Sequence, residues 1–126
     1  QKKRIEGMLA RAESGGAKRV ATGRIAEGVP GEGFYVAPAL YQQVARDSEL
    51  AREEVFGPVL AAMPFDDEAD AIRLANGTDF GLVAGVWSGD GSRAMRVARK
   101  VRVGQMFVNG YGAGGGIELP FGGPRS

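Results

Sequence analysis

The chain of 126 residues has no cysteine and no histidine, and those two absences exclude more chemistry than any motif in it suggests. Without cysteine there is neither a disulfide framework nor a thiol nucleophile. Without either residue, Cys/His zinc sites and Ser-His-Asp type triads have no members. An excess of one charge sign is lacking as well: 16 Lys+Arg stand against 15 Asp+Glu, a formal net charge of +1. With the two signs interspersed, no broad field is available to grip nucleic acid. Long hydrophobic runs are also missing. No apolar stretch approaches the roughly 18 residues of a membrane span, and Gln1-Lys2-Lys3-Arg4 leads into an amphipathic pattern rather than a signal-peptide core. The expectation is a soluble, cytoplasmic protein that engages neither membrane nor nucleic acid.

Glycine is plentiful, with 21 Gly and 6 Pro, together about a fifth of the chain and short of the roughly 25–30% at which low-complexity disorder becomes the better reading. Helical periodicity is explicit at Ile5, Met8, Leu9 and Ala12, spaced i, i+3, i+4 and i+7, with Gly15-Gly16 as the stop. Residues 2 to 14 therefore read as a helix. Ala17 to Thr22 and Phe34 to Val36 read as short strands around the turn-rich stretch Gly28 to Gly33, and Leu40-Tyr41 resumes an extended path after Pro38. Val55 to Phe65 is apolar almost throughout and reads as a strand covered on both faces. A helix with an acidic first turn follows, carrying Ile72, Leu74 and Ala75 and ending at Asn76-Gly77. Leu82 to Trp87 reads as a buried strand, Ser92 to Val101 as a helix, and Gln105 to Asn109 as a further strand. Alternation of this kind predicts an α/β fold, mostly parallel sheet with crossover helices.

Four segments are candidates for chemistry. Gly110, Gly112 and Gly115 fit G-x-G-x-x-G after a strand, yet Ile117-Glu118-Leu119-Pro120 follows where the dinucleotide fingerprint requires a helix, so a loop lining a ligand is the better reading. Gly89-Asp90-Gly91-Ser92-Arg93-Ala94 lies between a strand and a helix rich in Arg93, Arg96, Arg99 and Lys100. It is the best case for phosphate at a helix N-terminus, although turn and cap needs alone account for Gly and Asp there. Asp66, Asp67, Glu68 and Asp70 do not converge as metal ligands, because neighbours on a helix point apart, and they suit a first helical turn. Glu53-Glu54-Val55-Phe56-Gly57-Pro58-Val59 is the most informative. A carboxylate can accept two hydrogen bonds from a vicinal diol such as ribose, an aromatic two residues on can lie against a flat ring, and a glycine permits close approach.

In order along the chain, these segments resemble the NAD(P)-dependent aldehyde dehydrogenase family, specifically the C-terminal part of its catalytic domain. Gly33-Phe34-Tyr35-Val36-Ala37-Pro38-Ala39-Leu40-Tyr41 and Ala51-Arg52-Glu53-Glu54-Val55-Phe56-Gly57-Pro58-Val59 are similar to the family's G-x-F-x-x-P-T-V-x and A-x-E-E-x-F-G-P-V. Ala75-Asn76-Gly77-Thr78-Asp79-Phe80-Gly81-Leu82 is similar to A-N-x-x-x-Y-G-L. Gly104 to Asn109 fits G-x-x-x-V-N, and Pro120-Phe121-Gly122-Gly123 fits P-F-G-G. The resemblance implies that residues 1–126 are the C-terminal portion of the catalytic domain of a longer enzyme, whose cofactor domain and nucleophile-bearing segment lie elsewhere. It implies NAD or NADP as cofactor and a small-molecule aldehyde as substrate, with the parent a homo-dimer or homo-tetramer. Glu54 would hold the nicotinamide ribose, Phe56 would pack near the nicotinamide ring, and Gln1 and Arg4 would add contacts to the cofactor. Asn109, Ile117 and Phe121 would border the aldehyde. No catalytic residue and no metal ligand is expected within the chain. Two readings from other classes remain open at this stage, a phosphate- or nucleotide-binding module built on Gly89 to Arg102 and a structural fragment without ligand.

The family's chemistry, as the resemblance implies it, needs a Cys thiolate to attack the aldehyde and a Glu to activate water. The first prediction follows from composition: the purified 126 residues do not oxidise aldehydes. A dehydrogenase assay that showed turnover without any thiol would contradict it.

Overall fold

Helical spacing of Ile5, Met8 and Leu9 turns these side chains to one face of α1 (Lys2–Ser14), where all three are buried and Ala12 packs behind them. Each such burial contributes about 1.5–3 kcal/mol. The computed structural model describes residues 1–110 and 122–124, which fall into two units, Gln1–Pro64 and Phe65–Ser126.

In the first unit, β1 (Lys18–Thr22), β2 (Ala39–Gln42) and β3 (Val59–Ala61) form a sheet in that order. β1 runs antiparallel to β2, and β3 runs parallel to it, the crossover carrying the single turn of α2 (Glu49–Arg52). Around α1 the core is closed by Ala39, Tyr41, Val44 and Leu50. β1 is exposed along its length. Its charged Lys18 and Arg19 and the irregularity between Arg19 and Ala21 are features that blunt an open edge against pairing with other chains.

Tyr41 is the polar hub of this unit. It has no exposed surface, so its hydroxyl needs partners. The hydroxyl donates to Glu13 Oε1 at 2.8 Å and accepts from Arg19 Nε at 2.8 Å, while Arg19 and Glu13 pair directly at 2.7 Å. One side chain thus ties the end of α1 to β1 and β2. Burial, together with donation to Glu13, raises the Tyr41 pKa above that of free tyrosine, against the opposing pull of Arg19.

In the second unit, α3 (Glu68–Ala75) precedes β4 (Val83–Val86), and α4 (Gly91–Lys100) is the crossover to β5 (Gln105–Val108), which pairs parallel with β4. Asp67 caps α3 by accepting from Asp70 N at 2.7 Å, and Asp90 caps α4 by accepting from Arg93 N at 3.0 Å. Asn76 closes α3 and also serves the end of α4: its Nδ2 donates to the Lys100 carbonyl at 2.9 Å and its Oδ1 accepts from Arg102 N at 2.7 Å. A side chain at Gly104 would overlap the carbonyl of Gly122. Two motifs far apart in sequence therefore meet here through bare backbone.

Three expectations are corrected. No strand forms at Phe34 to Val36; the ladder begins at Pro38, whose carbonyl accepts from Gly23 N, and continues through 39–42. The strand expected over Val55 to Phe65 shrinks to Val59–Ala61, because Phe56 takes a left-handed turn and Pro58 and Pro64 have no N–H to donate. That strand is covered on one face only: Val59 and Ala61 pack on the core while Leu60 is 65% exposed. β4 likewise alternates, with Val83 exposed, instead of being buried throughout. Among the described residues no helix is long and apolar enough to cross a membrane.

Tyr41→Phe keeps the ring and removes the shared hydroxyl. We predict a loss of about 1 kcal/mol in denaturant unfolding at neutral pH. Because the folded-state pKa of Tyr41 is raised, its contribution is complete below about pH 10 and is lost as pH rises through the folded value. The gap between wild type and Tyr41→Phe should therefore narrow in alkali; a constant gap to the highest measurable pH would contradict this account.

Candidate functional site

Four of the residues singled out from sequence come together at the N-terminal turn of α1. The chain leaves α2 through Glu53 in extended conformation and runs over this turn. Phe56 adopts φ 55°, a left-handed conformation that costs a bulky residue about 1–2 kcal/mol. Gly57 follows, where a Cβ would come within 2.7 Å of Ile5 Cδ1. Glycine lets the loop lie this close to α1 without displacing the end of the Ile5 side chain.

The backbone of this loop is held by side chains. Arg4 donates from Nη2 to the Glu54 carbonyl at 2.9 Å and from Nη1 to the Val55 carbonyl at 3.2 Å. Gln1 Nε2 donates to the Phe56 carbonyl at 3.0 Å and, more weakly, to that of Val55 at 3.4 Å. Three successive carbonyls are satisfied in this way. The side chains of Glu54 and Phe56 remain outward: Glu54 is exposed, Phe56 is 71% exposed, and among the described residues no hydrogen bond or ion pair occupies the Glu54 carboxylate. The loop thus offers an open acceptor and an open aromatic face two residues apart, which fits a vicinal diol attached to a flat ring. Gln1 and Arg4, expected to touch the cofactor, direct their donors to the loop backbone.

Asn109 belongs to the second unit, at the end of β5, with φ 50°. Its carboxamide brackets Ser88, accepting from Ser88 N at 2.8 Å and donating to the Ser88 carbonyl at 3.0 Å. Its own N–H donates to the Val86 carbonyl. Expected beside the aldehyde, it is engaged in fixing the chain that leaves β4. Ile117 and Phe121, and most of the glycine-rich stretch from Gly110, lie outside the described residues.

The basic segment at the start of α4 is already neutralised. Asp90 occupies the helix N-terminus, its carboxyl held below the usual range by the Arg93 N–H. Arg96 makes a two-point pair with Glu68 at 3.2 and 3.0 Å, and Arg93 lies 3.9 Å from the same carboxylate. The Arg96 contact holds Glu68 below the ordinary carboxylate pKa. An anion at this end would meet a carboxylate rather than free N–H groups. Of the other acids, Asp70 is buried, accepting from Asp66 N at 3.0 Å and pairing with Arg73 at 2.9 Å. A cavity of about 670 Å³ in this unit is lined by residues including Phe65, Asp67, Trp87, Arg93 and Val97. Among the described residues, none of those singled out for cofactor or aldehyde lines it.

The comparisons with known proteins agree with this architecture. The aldehyde dehydrogenase family profile matches residues 1–126, and the chain belongs to that family. It is 39% identical to a betaine aldehyde dehydrogenase of Rhizobium leguminosarum bv. trifolii over 125 residues, which is 99% of this chain and 26% of that protein. It superposes with TM-score 0.94 and 54% identity on a Burkholderia cenocepacia structure assigned to the aldehyde dehydrogenases, covering 98% of this chain and 26% of that one. A Mycobacterium tuberculosis aldehyde dehydrogenase complexed with NAD+ is similar with TM-score 0.88 and 36% identity, covering 98% of this chain and 25% of that one. The chain thus spans about a quarter of the length of the relatives it matches.

Sequence reasoning placed Asn76 at the end of α3 but did not find its bonds to the end of α4, the hydroxyl hub at Tyr41 or the bracket made by Asn109. The last can be tested by comparing two replacements. Asn109→Gly keeps the left-handed backbone and loses the side-chain bonds, so we predict about 1 kcal/mol of destabilisation in urea. Asn109→Ala must in addition hold φ 50° with a Cβ and should fall about 1 kcal/mol further. Equal stabilities for the two variants would contradict this account of the bracket.

Proposed function

We propose that this chain is the C-terminal portion of the catalytic domain of an enzyme that oxidises an aldehyde to a carboxylic acid with NAD or NADP. Within it, Glu54 accepts hydrogen bonds from the hydroxyls of the nicotinamide ribose, and Phe56 lies against the nicotinamide ring. One observation carries this reading: a single short loop presents an exposed carboxylate and an exposed aromatic face two residues apart, on a chain of the aldehyde dehydrogenase family. When bound, the coenzyme supplies the hydride acceptor. The residues of this chain orient it. A carboxylate that takes both hydroxyls of a ribose fixes the sugar's rotation, and an aromatic wall restricts the attached ring to one plane and shields it from water. Gln1 and Arg4 belong to the same site through the loop they hold. Asn109, Ile117 and Phe121 are assigned to the aldehyde side. The thiol that attacks the aldehyde comes from outside these residues, since the sequence contains no cysteine.

The alternative of a phosphate-binding module on α4 has less support, because Asp90 and Glu68 already occupy the positions an anion would need. A titration separates the two. In saturation-transfer NMR with NAD+, Glu54→Gln should weaken binding by about tenfold or more, as expected for loss of a charged acceptor worth roughly 1.5–3 kcal/mol. Arg96→Gln should leave binding unchanged. The reverse pattern would overturn the assignment.

A further inference from the structure

The same turn of α1 carries an inference that goes beyond the binding residues themselves and rests on the cofactor reading of Glu54. We propose that Arg4, assisted by Gln1, is a positioning residue: it holds the backbone of residues 54–56 in a strained conformation that presents the Glu54 carboxylate and the Phe56 ring to the coenzyme. Arg4 and Gln1 together reach the carbonyls of Glu54, Val55 and Phe56 across fifty or more positions of sequence. Two of these bonds come from the two Nη atoms of one guanidinium, whose planar fork cannot be reproduced by an ammonium. The loop needs such a hold. No strand pairing covers residues 53 to 57, and Phe56 sits at φ 55°, a region that a large side chain leaves unless its surroundings impose it.

Apolar contact also holds the loop, with Val55 packed against the core and Gly57 against Ile5. That contact fixes its distance from the helix. It does not fix the rotation of the peptide planes at 54–55 and 55–56, which the forked donors set. Turning those planes would redirect the Glu54 and Phe56 side chains, since each leaves a Cα beside a held carbonyl. Arg4 acts on the coenzyme through the loop, and its guanidinium is committed to main-chain oxygens.

The test uses the full chain, isotopically labelled, as wild type, Arg4→Lys, Arg4→Ala and Glu54→Gln. Two readouts are taken. The first needs no ligand: a left-handed Phe56 gives a strong intraresidue NOE between its amide and α protons, and a right-handed or extended one does not. The second is NAD+ affinity. Arg4→Ala should lose the strong Phe56 NOE and bind NAD+ about tenfold more weakly, as expected if the competent loop falls to about a tenth of the population. Arg4→Lys should recover part of both. The thermal midpoint and the NOEs among Ile5, Met8 and Tyr41 should stay as in wild type, which separates positioning from general unfolding. An unchanged Phe56 signature in Arg4→Ala overturns the proposal and leaves the Glu54 assignment standing. A lost signature with unchanged NAD+ affinity also overturns it. Wild-type affinity in Glu54→Gln, or no saturable NAD+ binding by the wild-type chain, overturns the cofactor reading and the proposal with it.

Discussion

The burial of one face of α1 is the constraint on which the first unit depends. Ile5, Met8 and Leu9 supply the apolar surface, and β2 and α2 close over it with Ala39, Tyr41 and Leu50. An apolar stripe sets the distance between elements but allows a helix to slide or roll. Directional bonds at both ends remove that freedom. At the C-terminal end, Glu13 meets Arg19 and Tyr41; at the N-terminal end, Gln1 and Arg4 meet the carbonyls of residues 54–56. Between them, Arg11 grips the Glu49 carboxylate at 2.8 and 2.9 Å. Being exposed, that last pair contributes direction more than stability.

The second unit reaches definition by a different route. Its helices are short, and Ala94 and Val101 are its only buried apolar residues among those described. Much of its order lies in side chains that complete the ends of elements. Asp67 and Asp90 begin the helices, Asn76 closes two of them, and Asn109 fastens the exit of β4. The asparagines suit these places because one carboxamide both donates and accepts, and because asparagine tolerates a left-handed backbone. Exposed apolar residues such as Leu60, Val83 and Trp87 occur in a chain that spans about a quarter of the length of its relatives.

What was legible in the sequence follows from which interactions are local. α1, α3 and α4 appeared within a residue or two of their bounds because periodicity and first-turn acids are properties of consecutive residues. The motif order was sufficient to name the family. The single-turn α2 was missed, since four residues carry no period. β3 was expected to be long and doubly covered because its flanks are apolar, yet a left-handed Phe56 and two prolines end its pairing early. Tyr41 looked like any strand aromatic; its importance comes from Glu13 and Arg19, which reach it only after folding. Glu54 and Phe56 were chosen for the chemistry of their side chains, and both side chains stand exposed on one loop. The role of Arg4 was not, because its partners are backbone oxygens fifty residues away and main-chain acceptors leave no trace in the order of side chains.

The claim at the centre is that one loop carries the carboxylate for the coenzyme's sugar. Intermolecular NOEs in a complex of the chain with NAD+ test it most directly. The account predicts cross-peaks from the ribose and nicotinamide protons to the side chains of Glu54 and Phe56. Cross-peaks confined to Gly89–Arg93 at the start of α4 would contradict it.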